Sequence, residues 1–309
     1  MLSFWKKKSQ ENREQPNASL DPNKAQLELT RVGNYEVIAP IGSGGMGTVY
    51  KAIDRKRDLT VAIKVLDRRY DLDRKKRKRD YLGREILIAA QLHHETIVRM
   101  HNEIVLQEDV YGNVRRCLIM EYVDGHNLRK HINDRDLSVR RMTDLCIKLA
   151  EGLDFLHQNG IVHRDVKPEN FLFTRDMTQV KIVDFGLSKS EASWRTRTFK
   201  EGGGTIKYMS PEQLCKRKLD ARSDIFSFGI TMFELFTGKH PCSSTDRRQV
   251  QRQLMSSRYR FPAPSGLNRE IPSQMDRIIL KMLRRKVEDR YQSVTEMLMD
   301  LSRISESRI

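Results

Sequence analysis

The chain has 309 residues, 38% of them hydrophobic, enough for one large domain or two packed lobes. No run approaches the roughly 18 consecutive apolar residues that a membrane-spanning helix needs. The N-terminus, Met1-Leu2-Ser3-Phe4-Trp5-Lys6-Lys7-Lys8, sets its positive charge after a short apolar patch, the reverse of an export signal. Cys117, Cys146, Cys215 and Cys242 are far apart and form no C-x-x-C pair. They read as reduced packing thiols, not as a disulfide framework or zinc site, and the whole points to a soluble, cytoplasmic protein.

The formal net charge is +16. Residues 68–84 hold nine Lys/Arg against three Asp, a local net of +6. The core of that block, residues 74–79, is of the kind that meets an acidic partner, nucleic acid or anionic lipid; the plainer reading is a solvated approach to a helix.

Residues 1–33 are polar and aperiodic and read as a flexible tail, with a short helix around 25–31. Strand patterns follow at 35–41, 48–52 and 61–66, then helical spacing over 81–92. Strands return near 99–106 and 116–122. Beyond Gly125 helices dominate: 139–159, stopped by Asn159-Gly160, then 210–215, 221–237, 247–256, 274–283 and 294–302. A strand-rich first part and a helix-rich second part give two lobes meeting near Val123-Asp124-Gly125.

Ile41-Gly42-Ser43-Gly44-Gly45-Met46-Gly47-Thr48-Val49 sets three spaced glycines between strands. That allows the backbone to fold closely over phosphate oxygens, with Val49 offering an apolar contact to a flat base. The same pattern suits a plain Gly-rich hairpin. Lys64 lies in the apolar strand Val61-Ala62-Ile63-Lys64-Val65. It is either on a solvent face or held inward, where a point charge can reach phosphates. An inward cation needs a carboxylate: Glu85 is the better candidate, Glu95 the weaker.

His163-Arg164-Asp165-Val166-Lys167-Pro168-Glu169-Asn170 and Asp184-Phe185-Gly186 carry the remaining chemistry. Phosphoryl transfer needs charge neutralisation, an aligned nucleophile and a proton acceptor. Asp165 suits the last two, Lys167 the charge on the transferred group, and Asn170 and Asp184 offer the hard oxygens that Mg²⁺ prefers.

With these blocks in this order, followed by Ser210-Pro211-Glu212 and Asp224-Ile225-Phe226-Ser227-Phe228-Gly229, the chain resembles the eukaryotic-type protein kinase family from about residue 35 to 302. The glycine loop is particularly similar to bacterial members. The resemblance implies an α+β, two-lobed kinase-like fold: a small β-rich N-lobe with one main helix (34–122), a hinge (121–125) and a larger helical C-lobe (126–302), with a short tail at 303–309. It implies ATP and Mg²⁺, with Mn²⁺ an alternative, and protein substrates with Ser or Thr acceptors.

Residue by residue, Gly42, Gly44 and Gly47 match the phosphate-covering loop, Lys64 the lysine on the α/β-phosphates and Glu85 its helix partner. Asp165 matches the catalytic base, and Asn170 and Asp184 the metal ligands. Met120 matches the gatekeeper and Glu121-Tyr122-Val123 the hinge, while Ala62, Leu172 and Val49 enclose the adenine. Lys167 and Thr205 resemble the serine/threonine branch. Arg164 implies a phosphorylated activation segment, with Thr198 and Thr196 the first candidates, then Ser193. Glu212 resembles the partner of Arg290 in a structural pair, and Asp224 the anchor of the catalytic loop.

Overall fold

The computed structural model describes residues 29–44, 47–67, 86, 88–108, 114–185 and 205–306. Six antiparallel strands form the first sheet: β1 (Arg31–Val32), β2 (Tyr35–Gly44), β3 (Gly47–Asp54), β4 (Leu59–Leu66), β5 (Met100–Glu108) and β6 (Val114–Glu121), ordered β1-β2-β3-β4-β6-β5. Side chains of a strand alternate between faces, and β4 sorts itself accordingly. Val61 and Ile63 join Val32, Tyr35, Ala52, Cys117 and Ile119 in a small outer cluster. Ala62 and Leu66 join Leu118 and Met120 in the main core. Lys64 therefore shares the inner face, and it is only 2% exposed.

A second sheet, β7 (Gly125–Asn127), β8 (Phe171–Thr174) and β9 (Val180–Ile182), lies in the large lobe. An isolated bridge ties it to the chain before β5: Val98 donates to the Ile182 carbonyl at 3.0 Å, and Ile182 to that of Thr96 at 2.7 Å.

The large lobe is helical: α1 (Leu128–Asp134), α2 (Val139–Gln158), α3 (Pro211–Leu214), α4 (Ala221–Thr237), α5 (Arg247–Met255), α6 (Ser273–Met282) and α7 (Val294–Glu306). Local chemistry sets the ends. Asn127, Ser138, Asp220 and Asp246 cap α1, α2, α4 and α5 by accepting backbone N–H groups. Ser210 and Gln213 make a reciprocal capping box on α3, and Gly238 stops α4 with φ 68°. Helix α4 is apolar on nearly every side and runs through the core. Its Gly229 admits α6 closely, since a Cβ there would lie 2.9 Å from Met282.

Several points differ from the sequence expectation, among them helix α7, which runs to Glu306 through the first residues of the expected tail 303–309. Residues 29–31 are not helical: Arg31 opens β1, and Val32, assigned to the polar tail, is fully buried opposite Tyr35 because the outer cluster takes it up. Helix α3 starts at Pro211, with Ser210 as its cap. Helix α1 and the β7–β9 sheet were not anticipated, being too short to show a period. Of the expected helix 81–92, residues 86 and 88–90 are helical; residues 68–85, with the basic run 74–79 and Glu85, lie outside the described residues. Cys117, Cys146 and Cys242 are buried free thiols and Cys215 is exposed. Burial pushes Cys117 and Cys242 up to about 12, in keeping with inert packing groups.

Candidate active site

Residues 161–167 cross between α2 and a 3₁₀ turn at Pro168–Asn170 without regular structure, so side chains must hold them. Asp224, in the first turn of α4 and 1% exposed, does most of this. Its Oδ2 accepts from the His163 amide and its Oδ1 from that of Arg164, both at 2.7 Å, and His157 Nε2 donates to Oδ2 at 2.8 Å. Burial alone would raise the Asp224 pKa; the His157 contact and the other bonds outweigh it and hold the carboxyl below its usual range. Gln213 of α3 donates to the Arg164 carbonyl at 2.9 Å. Arg164 takes φ 65°, a costly conformation for a side chain with a Cβ, and one that this clamp sustains.

The clamp presents a polar cluster. The His163 Nδ1 accepts the Asp165 amide at 3.3 Å, so its proton sits on Nε2, 3.0 Å from the Val183 carbonyl. Lys167 Nζ donates to Asp165 Oδ2 at 2.8 Å, and Asn170 Nδ2 to the Asp165 carbonyl at 2.7 Å and to Oδ2 at 3.2 Å. Two of these contacts converge on Asp165 Oδ2.

Opposite lies the sheet. Lys64 Nζ donates to Asp184 Oδ1 at 2.6 Å. Asp184 has φ 63°, a second non-glycine residue in the left-handed region beside this cleft. Burial pushes its pKa up, yet the charges of Lys64 and Lys167 prevail and hold it low. The inward alternative for Lys64 is thus the one adopted. Its described partner is Asp184; the expected partner Glu85 lies outside the described residues. The two oxygen-bearing side chains suit a hard cation that arrives with phosphates. The described bonds of the Asn170 side chain run through Nδ2, which leaves its amide oxygen for a metal, alongside Asp184.

The nucleotide-facing candidates line the same inner face. Val49 is paired with Lys64, and Ala62 with Met120, which is 6% exposed. Leu172 lies below on β8, and Tyr122 and Val123 leave β6 without strand pairing. Gly42, Ser43 and Gly44 pair with Val49, Thr48 and Gly47, while Ile41 is 48% exposed. The glycines are not equivalent. A Cβ on Gly47, with φ 138°, would sit 2.0 Å from the Val65 carbonyl oxygen, whereas at Gly42 or Gly44 it meets nothing within 4 Å. Gly45 and Met46, and the Thr205 side chain, lie outside the described residues.

A family model described as the protein kinase domain matches residues 35–300. The chain belongs to the protein kinase family. A probable serine/threonine-protein kinase of Streptomyces coelicolor is 38% identical over 273 residues, 87% of this chain and 39% of that protein. One from Clostridium acetobutylicum is 34% identical over 89% of this chain and 40% of its own length. Serine/threonine-protein kinase PknB of Mycolicibacterium smegmatis is 33% identical, over 89% of this chain and 43% of its own. The chain thus spans about 40% of the length of these relatives. Among solved structures, the Mycobacterium tuberculosis PknI kinase domain superposes with a TM-score of 0.67 at 26% identity, over 89% of this chain and 97% of that one. Rad53 in complex with AMP-PNP gives 0.68 at 26% identity, over 86% and 64%. The kinase domain is of the serine/threonine type, with the α+β two-lobed fold that the sequence motifs implied.

Sequence reasoning missed three features of the kinase domain. His157 supports Asp224. Lys181 of β9 pairs with Glu121 at 2.9 Å, and the same Glu121 oxygen accepts the Arg99 amide, tying the end of β6 to the large lobe. Arg129 of α1 binds Glu169 Oε1 at 3.0 Å, both oxygens of Glu234 at 2.8 and 3.1 Å, and the Tyr208 hydroxyl. Its partners lie 40 to 105 residues away, so no local pattern announces them. The expected structural pair is present: Arg290 grips Glu212 in a fork at 2.7 and 2.8 Å.

Proposed function

We propose that the chain transfers the γ-phosphate of ATP to Ser and Thr hydroxyls of proteins, in a domain spanning about 34–302 with its hinge at 121–125. The convergence of Lys167 and Asn170 on Asp165, facing the Lys64–Asp184 pair, carries this reading. Asp165 Oδ1 orients the acceptor hydroxyl and takes its proton while Oδ2 stays engaged; Lys167 stabilises charge on the transferred group. Lys64 holds the α/β-phosphates. Asn170 and Asp184 hold Mg²⁺, or Mn²⁺ in its place, which neutralises phosphate charge when bound. Gly42, Ser43, Gly44, Gly45, Met46 and Gly47 cover the phosphates, and Ile41, Val49, Ala62, Met120, Glu121, Val123 and Leu172 enclose the base. Glu85 pairs with Lys64 and Thr205 braces Lys167 in the working state.

Arg164 Nε is buried with no hydrogen-bond partner among the described residues. A cationic group so placed supports activation by a phosphate on Thr198, Thr196 or Ser193, which lie outside the described residues. A cytoplasmic signalling role belongs to the same proposal. Purified protein with radiolabelled ATP and Mg²⁺ tests it, beside Asp165→Asn. Label on Ser and Thr that vanishes in the variant is the expected outcome; nucleotide binding without label on any protein overturns the reading.

A further inference from the structure

Helix α3 is tied to the residue before Asp165 through Gln213, and α5 packs on both α3 and the 3₁₀ turn Thr205–Tyr208. Most of the carboxylate oxygens here are engaged. Glu212 is 7% exposed and locked to Arg290. Glu169 and Glu234 converge on Arg129, and the Tyr208 hydroxyl donates to Glu234 Oε2 at 2.5 Å. Asp246 caps α5 by accepting the Gln249 amide at 2.9 Å. Glu212 and Glu234 thus have both oxygens engaged, whereas Glu169 Oε2 has no hydrogen-bond partner among the described residues.

The cations are not committed in the same way. No acidic residue stands between Glu212 and Asp220, while Lys216, Arg217 and Lys218 follow one another on the surface. Residues 239–260 contain six Lys/Arg against Asp246 alone. Val250 and Leu254 turn α5 inward, which leaves Arg248 and Arg252, one helical turn apart, exposed on the outer face. Arg217, Lys218, Arg248 and Arg252 meet no carboxylate among the described residues. A surface of one sign selects partners of the other, through both encounter rate and the cost of like-charge contact.

We infer that this kinase selects acceptor segments in which Asp and Glu flank the Ser or Thr, read by a basic rim formed by Arg217, Lys218, Arg248 and Arg252. The inference rests on the proposed transferase activity and names its substrate class. The rim adds no group to phosphoryl transfer; it holds the segment while Asp165 and Lys167 act.

The full chain, given Mg-ATP, is offered three peptides with the same central Ser-Thr acceptor pair and acidic, neutral or basic flanks. At low salt kcat/KM for the acidic peptide is expected to exceed that for the neutral one by about tenfold, with the basic one lowest. The gap should close as salt rises to about 0.5 M, where exposed charges are screened. In R217Q/K218Q/R248Q/R252Q the acidic-to-neutral ratio falls toward unity, with an unchanged Tm as the check on folding. Equal rates, a basic preference or a salt-independent ratio overturns the inference and leaves the transferase reading intact. Autophosphorylation with no peptide labelled overturns it as well. Absence of both peptide labelling and autophosphorylation removes the transferase reading itself.

Discussion

Two buried ion pairs, one at the cleft and one within the large lobe, show how similar chemistry serves different ends. Arg290 is 0% and Glu212 7% exposed, and the pair is saturated: the fork is joined by bonds from Arg290 to the carbonyls of Arg284, Arg222 and Arg285, and from the Ser223 hydroxyl to Glu212. Among the described residues Lys64 and Asp184 share one contact, with 26% of the Asp184 side chain open and its backbone in a costly conformation. A saturated pair locks two segments of the fold. An unsaturated pair on a cleft keeps donors and oxygens for something else.

Breaking the saturated pair has the largest effect on stability. Arg290→Met strands the Glu212 carboxylate and is expected to cost about 3–5 kcal/mol, read as a fall in Tm. Lys64→Met reverses the balance: Asp184 regains water, Tm changes little, and kcat/KM for phosphoryl transfer drops by about 10²–10³-fold. Comparable Tm losses in both variants would erase the distinction.

The glycine loop sharpens the contrast between fold and function. Gly47→Ala adds strain against the Val65 carbonyl and costs roughly 1–3 kcal/mol of stability. Gly44→Ala fits the space and should leave Tm unchanged while raising KM for ATP.

Acid titration separates the carboxylates in the same way. The folded pKa of Glu212 lies below its ordinary 4.5: burial opposes this, but the Arg290 bonds outweigh it. Its contribution is therefore present above about 4.5 and lost as pH falls through the lower folded value. Tm measured from neutral to about pH 3 should fall less steeply in Arg290→Met, which has already lost that contribution. A parallel fall in both proteins would show that other groups dominate.

The smallest effect is expected at the hinge. Lys181→Met loosens the partly buried Glu121 tie, costs about 0.5–1 kcal/mol and shifts KM for ATP more than kcat. The charge-reversed double variant, with Glu121→Lys and Lys181→Glu, should restore the ion-pair part of the loss but not the Arg99 amide contact.

Much of this kinase domain is legible along the chain because its signals are local. Periodicity located the helices from α2 onward, though α7 runs on to Glu306, past the expected end at 302, and Asn159-Gly160 marked the stop after α2. The motif order placed Asp165, Asn170 and Asp184 in one functional block. The features that escaped are long-range: the Arg129 hub, the His157–Asp224 support and the Lys181–Glu121 tie each join side chains that are not neighbours in sequence. Helix α1 and the strands of the small sheet are too short for a period to emerge.

From sequence alone, the two-lobed layout followed from the change of pattern along the chain, and the kinase family and the candidate site residues from the motifs that carry the resemblance. The tertiary structure decided which way Lys64 points, because face alternation in β4 and burial under the sheet are properties of the packed lobe. It also decided which glycine the fold itself requires, since the obstacle at Gly47 is a carbonyl of another strand. And it decided which charges remain available, because a carboxylate is spent only when a cation from elsewhere in the chain is brought to within hydrogen-bonding distance.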